Sequence, residues 1–215
     1  MNINETLANL RGTYLKAALD IADCDPNPEH QFDNWFKNAV IGECDEPNAF
    51  TLSTIHDGRP RARVVLLKGI HEGKLVFYTN YSSAKGSELS HNSNVAMTFL
   101  WLPLQRQIRI EGTIQKVDPA LSDEYFAKRP RGSQVGAIAS PQSKKVDSRA
   151  ELERYFQEAE TKAIGKTELI RPAHWGGYAV DPNYFEFWQG RDNRMHDRIT
   201  YEKISGIWHL GRLAP

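Results

Sequence analysis

The chain has 215 residues, 40% of them hydrophobic and 25% charged, which suits one domain, or a domain with an appendage, built on a sizeable core. Its 27 Lys and Arg balance 27 Asp and Glu, so no overall positive field gathers nucleic acid or an anionic membrane, although a local basic site stays open. Cys24 and Cys44 form no CxxC pair, which fits reduced thiols in a cytoplasmic protein better than a disulfide scaffold or a zinc site. The start, Met1 to Thr6, has neither the basic nor the apolar stretch of a secretory signal. The longest strongly apolar run, Val64 to Leu67, is too short to span a bilayer.

Leu7, Leu10, Tyr14 and Ala18 recur at helical spacing over residues 5–18, with Asn4 as a possible cap and Arg11 three positions before Tyr14. Residues 19–28 read as a loop. A second helix then starts with Asn27 as cap and Pro28 at its first position, and carries Phe32, Trp35, Phe36, Ala39 and Val40 along a packing face. From residue 49 the period changes to two. Residues 49–55 and 61–67 read as strands joined at Asp57-Gly58, a pair that tolerates the positive φ of hairpin turns. The second strand ends in Arg63-Val64-Val65-Leu66-Leu67-Lys68; with residues 76–80 it reads as a hairpin whose longer loop is Gly69 to Lys74. In a regular strand Arg63 and Lys68 face opposite sides.

Further strands are expected at 75–79, 95–101, 106–117, 175–180, 184–188, 198–204 and 207–212, the last two separated by Ser205-Gly206. Helices are expected at 84–89, from Asp118-Pro119 through Tyr125 and Phe126, and after the capping box of Ser148 and Glu151. Many short strands with hairpin turns and few helices argue for an antiparallel barrel rather than a doubly wound parallel sheet.

Gly69 to Lys74 is one residue too short for a P-loop and has Leu75 where Ser or Thr is required. The sequence has no strand followed by GxGxxG, no HExxH and no GxSxG, so no nucleotide fingerprint, metal site or hydrolase elbow is expected. What remains is a set of anion-binding groups. Ser82, Ser83 and Lys85 sit at a helix start, where free N–H groups favour phosphate. Arg129-Pro130-Arg131-Gly132-Ser133 puts two guanidinium groups and a hydroxyl in a loop after Tyr125, with Gln142-Ser143 beyond it. Two clusters imply two phosphates. Near the C-terminus, Arg194, His196 and Arg198 occupy alternate positions, and period two would turn all three to one side.

These pieces together resemble the pyridoxamine 5'-phosphate oxidase family. The motifs that carry the resemblance are RVVLLK (63–68), VFYTN (76–80), the lysine of SSAK (82–85), RQIRIEG (106–112), YFAKRPRGSQVGA (125–137), PQS (141–143), WGGY (175–178), FEFWQG (185–190), RMHDR (194–198) and RLAP (212–215). They cover nearly everything from residue 30 onward, and Arg11 to Tyr14 is similar to the family's N-terminal arm.

The resemblance implies a mainly β fold with peripheral helices: an antiparallel, Greek-key-like split β-barrel that binds FMN. It implies residues 1–46 as a helical arm packed on the barrel and residues 47–215 as the FMN-binding domain, in a homodimer with FMN held between subunits. By motif, Arg63, Val64, Val65, Leu66, Leu67, Lys68, Tyr78, Thr79, Lys85, Gln107, Gln142, Ser143, Trp188 and Arg198 would contact FMN. The substrate side would use Lys68, Tyr125, Arg129 and Ser133 for its phosphate, Arg194, Met195 and His196 near its ring, and Arg11 and Tyr14 from the arm.

One departure stands out: Ala84 replaces the arginine that commonly precedes the phosphate-site lysine. The implied reaction is oxidation of pyridoxamine or pyridoxine 5'-phosphate to pyridoxal 5'-phosphate, with dioxygen reduced to hydrogen peroxide and Arg194 and His196 as the catalytic pair. Two alternatives stay open, a split-barrel flavin reductase using NAD(P)H and a flavin or pyridoxal-phosphate carrier without turnover.

Overall fold

The computed structural model describes Ile3 and residues 17–215. Arg11, Tyr14 and almost all of the helix expected over 5–18 lie outside the described residues.

Nine strands and five α-helices make up the described chain. The strands are β1 (Ala49–His56), β2 (Arg59–Leu66), β3 (Gly69–His71), β4 (Lys74–Asn80), β5 (Asn94–Trp101), β6 (Arg106–Lys116), β7 (Trp175–Gln189), β8 (Asp197–Ile204) and β9 (Ile207–Arg212). The helices are α1 (Pro28–Ile41), α2 (Ala84–His91), α3 (Pro119–Lys128), α4 (Arg131–Ala139) and α5 (Arg149–Ala163). Strand order is β2-β1-β5-β6-β7-β4-β3, with β8 pairing both β7 and β9. The pairs β1/β2, β3/β4, β4/β7, β7/β8 and β8/β9 are antiparallel, as expected from the density of hairpin signals.

Local chemistry accounts for most element ends. The Asn27 side chain accepts from the Glu29 N–H and Pro28 opens α1, so the missing proline donor falls where no intrahelical partner exists. Asp118 caps α3 at the Ala120 N–H, and Ser148 caps α5 at the Glu151 N–H. Asp57 and Gly58 both have positive φ (48° and 71°), the twist-compatible geometry of a two-residue hairpin. Ser205 and Gly206 turn β8 into β9 the same way.

Three expectations need correction. The segment Gly69–Lys74 is not one long loop: it contains β3 and a two-residue turn at Glu72 and Gly73 (φ 51° and 74°), so β4 forms its hairpin with β3 while β2 pairs with β1. The two strands expected at 175–180 and 184–188 are one continuous strand, β7, which carries Pro182 within it. The loop expected at Arg129–Ser133 is a helix junction, because α4 begins at Arg131.

The chain divides into two compact units: residues 1–48, 97–110 and 183–215, and residues 49–96 and 111–182. In the first, α1 packs its aromatic face inward, with Phe32 edge-on to Phe99 (5.3 Å) and Trp35 edge-on to Phe187 (5.1 Å). Arg106 lies 4.3 Å over the Trp35 ring and donates to Gln189 at 2.8 Å. The chain end is tied down by Arg212, whose guanidinium reaches Asp197 and Asp20, each at 2.9 Å. In the second unit Phe50, Leu52, Leu75, Phe77 and Val180 are buried, and Phe77 packs between Phe50 and Tyr178 at 5.8 and 5.9 Å.

Gly86 fixes how closely the start of α2 approaches the end of β4. A Cβ there would overlap the backbone carbonyl of Tyr81, which has no flexible atom to give way. Gly86→Ala is therefore expected to lower the urea midpoint with the slope unchanged, at a cost of about 1–3 kcal/mol. An unchanged midpoint would show that this approach is not tightly held.

Candidate functional site

A cavity of about 690 Å³ opens in the second unit, within the roughly 300–1,000 Å³ typical of small-molecule and cofactor sites. Its wall is built from the ends of β2 and β4, the start of α2, the start of β7, and the segments around α3 and α4. Arg63, Val64, Val65, Leu66, Lys68, Tyr78, Thr79, Lys85, Tyr125, Arg129, Ser133, Gln142 and Ser143 all line it. Leu67 does not; it is buried, 7% exposed. Strand β2 stops at Leu66, so strict alternation no longer holds at Lys68, and Arg63 and Lys68 reach the same cavity instead of opposite faces.

One group of wall residues is cationic and amide-rich. The Lys85 ammonium donates to Gln142 Oε1 at 2.7 Å and Thr79 Oγ1 at 3.1 Å. Burial and the neighbouring Arg63 charge press the Lys85 pKa down, with Glu88 opposing them. Arg63 is held from behind: Nη2 donates to the Glu88 carboxylate at 2.5 Å and Nη1 to Thr54 Oγ1 at 2.6 Å, while the Thr54 hydroxyl donates to Glu88 at 2.6 Å. Glu88 is 6% exposed. Burial alone would raise its pKa, but hydrogen bonds from Thr54 and Arg63 and the Arg63 charge outweigh it and hold the carboxyl below its ordinary value. Ala84 is on the wall and brings no charge.

The other group is aromatic and ends in a second guanidinium. Tyr78 stacks on Tyr125 at 3.9 Å and on Trp175 at 5.5 Å, with 11° between planes in both pairs. Arg129 lies 4.7 Å over the Trp175 ring. Burial lowers the Arg129 pKa, and its Nη1 is buried without a hydrogen-bond partner among the described residues. A desolvated guanidinium nitrogen with no acceptor is costly, and it marks a place for an anion. Desolvation, reinforced by Tyr125 and Glu124, pushes the Tyr78 phenol up to about 12, so it stays neutral at physiological pH.

The sequence did not single out Trp175 or Pro130 as wall residues, nor Glu88 and Thr54 behind Arg63. WGGY was visible as a motif, but nothing in it says that its tryptophan stacks on a tyrosine about a hundred positions earlier.

Gln107, Trp188, Arg194, Met195, His196 and Arg198 belong to the other unit and do not line this cavity. There, the His196 ring sits 4.6 Å from Trp188, and its Nδ1 accepts from the Arg191 N–H at 3.0 Å. Arg198 Nε donates to the buried Glu186 carboxylate at 2.8 Å, which also accepts from Arg109 at 2.9 Å. The expected period-two alignment of Arg194, His196 and Arg198 does not hold. Arg194 ends a 3₁₀ turn (Asp192–Arg194) with positive φ at Asn193 and Arg194, and β8 begins only at Asp197. The described residues hold no group of three or more His, Cys, Asp or Glu placed to bind a metal ion, and no helix among them is long and apolar enough to cross a membrane.

Glu88 and Arg63 give a pH-dependent stability. Because the folded pKa of Glu88 lies below its unfolded value of about 4.3, the pair's contribution is complete above that pH and is lost as pH falls through the lower folded value. Arg63→Met leaves the buried carboxylate without its cation and is expected to cost about 3 kcal/mol at pH 7. Denaturant unfolding at pH 7 and pH 3 checks this: the gap from wild type narrows at the lower pH, and a gap independent of pH contradicts the pairing.

Residues 37–163 match the family model for pyridoxamine 5'-phosphate oxidase, and residues 175–215 match the pyridoxine 5'-phosphate oxidase C-terminal dimerisation region. The pyridoxine/pyridoxamine 5'-phosphate oxidase of Burkholderia thailandensis is 52% identical, over 98% of this chain and 99% of its own. That of Salinibacter ruber is 50% identical, over 97% and 99%. Among solved structures, PhzG from Burkholderia lata 383, in complex with tetrahydrophenazine-1-carboxylic acid, has a TM-score of 0.87 at 26% identity and covers 95% of this chain and 100% of that one. A pyridoxamine 5'-phosphate oxidase-related, FMN-binding protein from Nostoc punctiforme shares the fold, with a TM-score of 0.72 at 16% identity, covering 89% and 100%. The fold is the split β-barrel of these structural relatives. A family model spanning more than half of the residues, and relatives half identical from end to end, establish that this chain belongs to the pyridoxamine 5'-phosphate oxidase family.

Proposed function

We propose that the protein oxidises pyridoxamine 5'-phosphate and pyridoxine 5'-phosphate to pyridoxal 5'-phosphate, using FMN and dioxygen and releasing hydrogen peroxide. The observation that carries this reading is the single cavity with a cationic group of residues at Lys85 and Arg63, a second at Arg129, and a stacked aromatic wall at Tyr78, Tyr125 and Trp175. Proteins of this family bind FMN. The donor set fits it: Lys85, Arg63 and the Gln142-Ser143 segment suit a phosphate, and the orphaned Nη1 of Arg129 suits another. The relatives named for pyridoxine and pyridoxamine phosphate share half of the residues, which favours those substrates over the tricyclic compound bound by PhzG at 26% identity.

In this reading Arg63 to Leu66, Tyr78, Thr79, Lys85, Gln142 and Ser143 hold FMN, and Lys68, Tyr125, Arg129 and Ser133 hold the substrate phosphate. FMN, when bound, would supply the two-electron redox chemistry that links substrate to dioxygen. The chain's part is to bind, orient and exclude water. Arg129 fixes the substrate through its phosphate, and the neutral phenol of Tyr125 stacks rather than repels. Gln107, Trp188, Arg194, Met195, His196 and Arg198 complete the site from a second copy of the chain, consistent with the match of residues 175–215 to a dimerisation region. Within each copy the Arg191 N–H occupies Nδ1 of His196, which leaves the proton of the neutral ring on Nε2. His196 and Arg194 then orient the pyridine ring and offset charge as the substrate C–H bond breaks.

Three results test this reading. Purified protein is expected to be yellow and to release FMN on denaturation. It is expected to take up oxygen with pyridoxine 5'-phosphate in the absence of NADPH; uptake that requires NADPH would favour a flavin reductase instead, and bound flavin with no uptake would favour a carrier. Mixing Arg129→Ala chains with Arg194→Ala chains is expected to restore about a quarter of wild-type turnover. Half of the dimers become hybrids, and each hybrid has one intact site. No restoration contradicts the sharing of the site between copies.

A further inference from the structure

The cavity residue Arg63 has a buried acid behind it that does not itself reach the cavity. Glu88 is 6% exposed, is absent from the cavity wall, and accepts from Arg63 Nη2 at 2.5 Å. Arg63 Nη1 is directed the same way, to Thr54 Oγ1 at 2.6 Å and the Leu52 carbonyl at 3.4 Å. Three of the contacts of this guanidinium therefore run inward, to β1 and α2, rather than toward the cavity. Lys85, the other cation of this group, feels both the Arg63 and the Glu88 charges.

We infer that Glu88 sets how strongly the cavity prefers a phosphorylated to an unphosphorylated flavin, by holding back the charge of Arg63. The inference rests on the proposed FMN site. Arg63 and Lys85 present two positive charges to a phosphate that carries about −1.5 to −2 at neutral pH. The Glu88 carboxylate lowers that sum by one, and because it is buried, solution salt screens it little. It touches neither flavin nor substrate, so it acts through Arg63, and its effect belongs to the phosphate end alone. The isoalloxazine end, bound by other wall residues, is left as it was. The consequence is a cofactor that loads and exchanges more readily than two unopposed cations would allow.

The test compares FMN with riboflavin, which differ only in the phosphate. Full-length protein stripped of flavin is titrated with each by fluorescence quenching, as wild type and as Glu88→Gln. The amide keeps one oxygen to accept from Arg63 and Thr54, as a single carboxylate oxygen does in the wild type, and removes the charge. FMN is expected to bind the variant about tenfold more tightly, equivalent to about 1.4 kcal/mol, with the riboflavin affinity within twofold of wild type. An FMN affinity equal to or weaker than wild type overturns the inference, and so does an equal gain for both flavins. Unchanged riboflavin binding also reports that the variant is folded. Should Glu88→Gln not fold, Glu88→Asp shortens the side chain by one methylene and draws the carboxylate back from Arg63 Nη2. The FMN-to-riboflavin preference must then rise, and an unchanged preference overturns the inference. Wild-type protein that binds neither flavin is a separate result, which removes the proposed site itself and this inference with it.

Discussion

Desolvated positive charge facing one cavity is the constraint on which the rest of the structure depends. Lys85, Arg63 and Arg129 are drawn partly out of water by the strands and helices that carry them, and burial works against the charged form of Lys85 and Arg129. A fold keeps such groups only if something of opposite charge, or a set of acceptors, repays the loss. Part of the repayment is internal: Gln142 and Thr79 accept from Lys85, and Glu88 and Thr54 accept from Arg63. At Arg129 it is incomplete, since Nη1 is buried with no acceptor among the described residues and the guanidinium rests on the face of Trp175. The cavity is thus poised for anions at two places along one wall.

The framework holds these charges through close backbone contacts. Gly86 lets the first turn of α2 lie against Tyr81, which carries Lys85 back over Thr79 at the end of β4. Gln134 of α4 donates to the Phe126, Ala127 and Arg129 carbonyls at the end of α3, at 3.0, 3.1 and 3.0 Å. One buried amide therefore satisfies the loose end of one helix from the body of the next and fixes Arg129 at their junction. In the other unit Glu186 plays a comparable part, bringing Arg109 and Arg198 to one buried carboxylate. Both units rely on a buried acid to place an arginine.

Much of this was legible in the sequence, because local rules acted without competition. Asp57-Gly58 and Ser205-Gly206 adopt the positive φ that their residue types suggest, and Asn27, Asp118 and Ser148 cap the helices they precede. Motifs pointed to much of the cavity wall, although Leu67, Gln107, Trp188 and Arg198 do not line it and Trp175 and Pro130 were not singled out. What the sequence hid came from tertiary contacts. Residues 129–133 were read as a loop, yet α4 begins at Arg131 although Gly132 and Gly136 are weak helix formers, and Gln134 docks it on the end of α3. Lys68 was assigned to the wrong side because period two was carried past Leu66, where the strand ends. Arg194 and His196 were aligned with Arg198 on the same assumption, across a turn whose backbone is left-handed at two residues. The roles of Glu88 and Thr54 were invisible, since a buried acid facing an arginine 25 positions away leaves no local pattern.

On the proposed function, one cavity holds two phosphates in separate places, one by Lys85 with Gln142 and Ser143 and the other by Arg129 with Ser133. The most direct measurement is a crystal structure of the protein grown with FMN and pyridoxal 5'-phosphate. The flavin phosphate is expected within hydrogen-bond distance of Lys85, the pyridoxal phosphate against Arg129 Nη1, and the two rings face to face beside Tyr78, with His196 reaching the site from a second copy. Both phosphates gathered at Lys85, or an Arg129 guanidinium still without an anion, would contradict it.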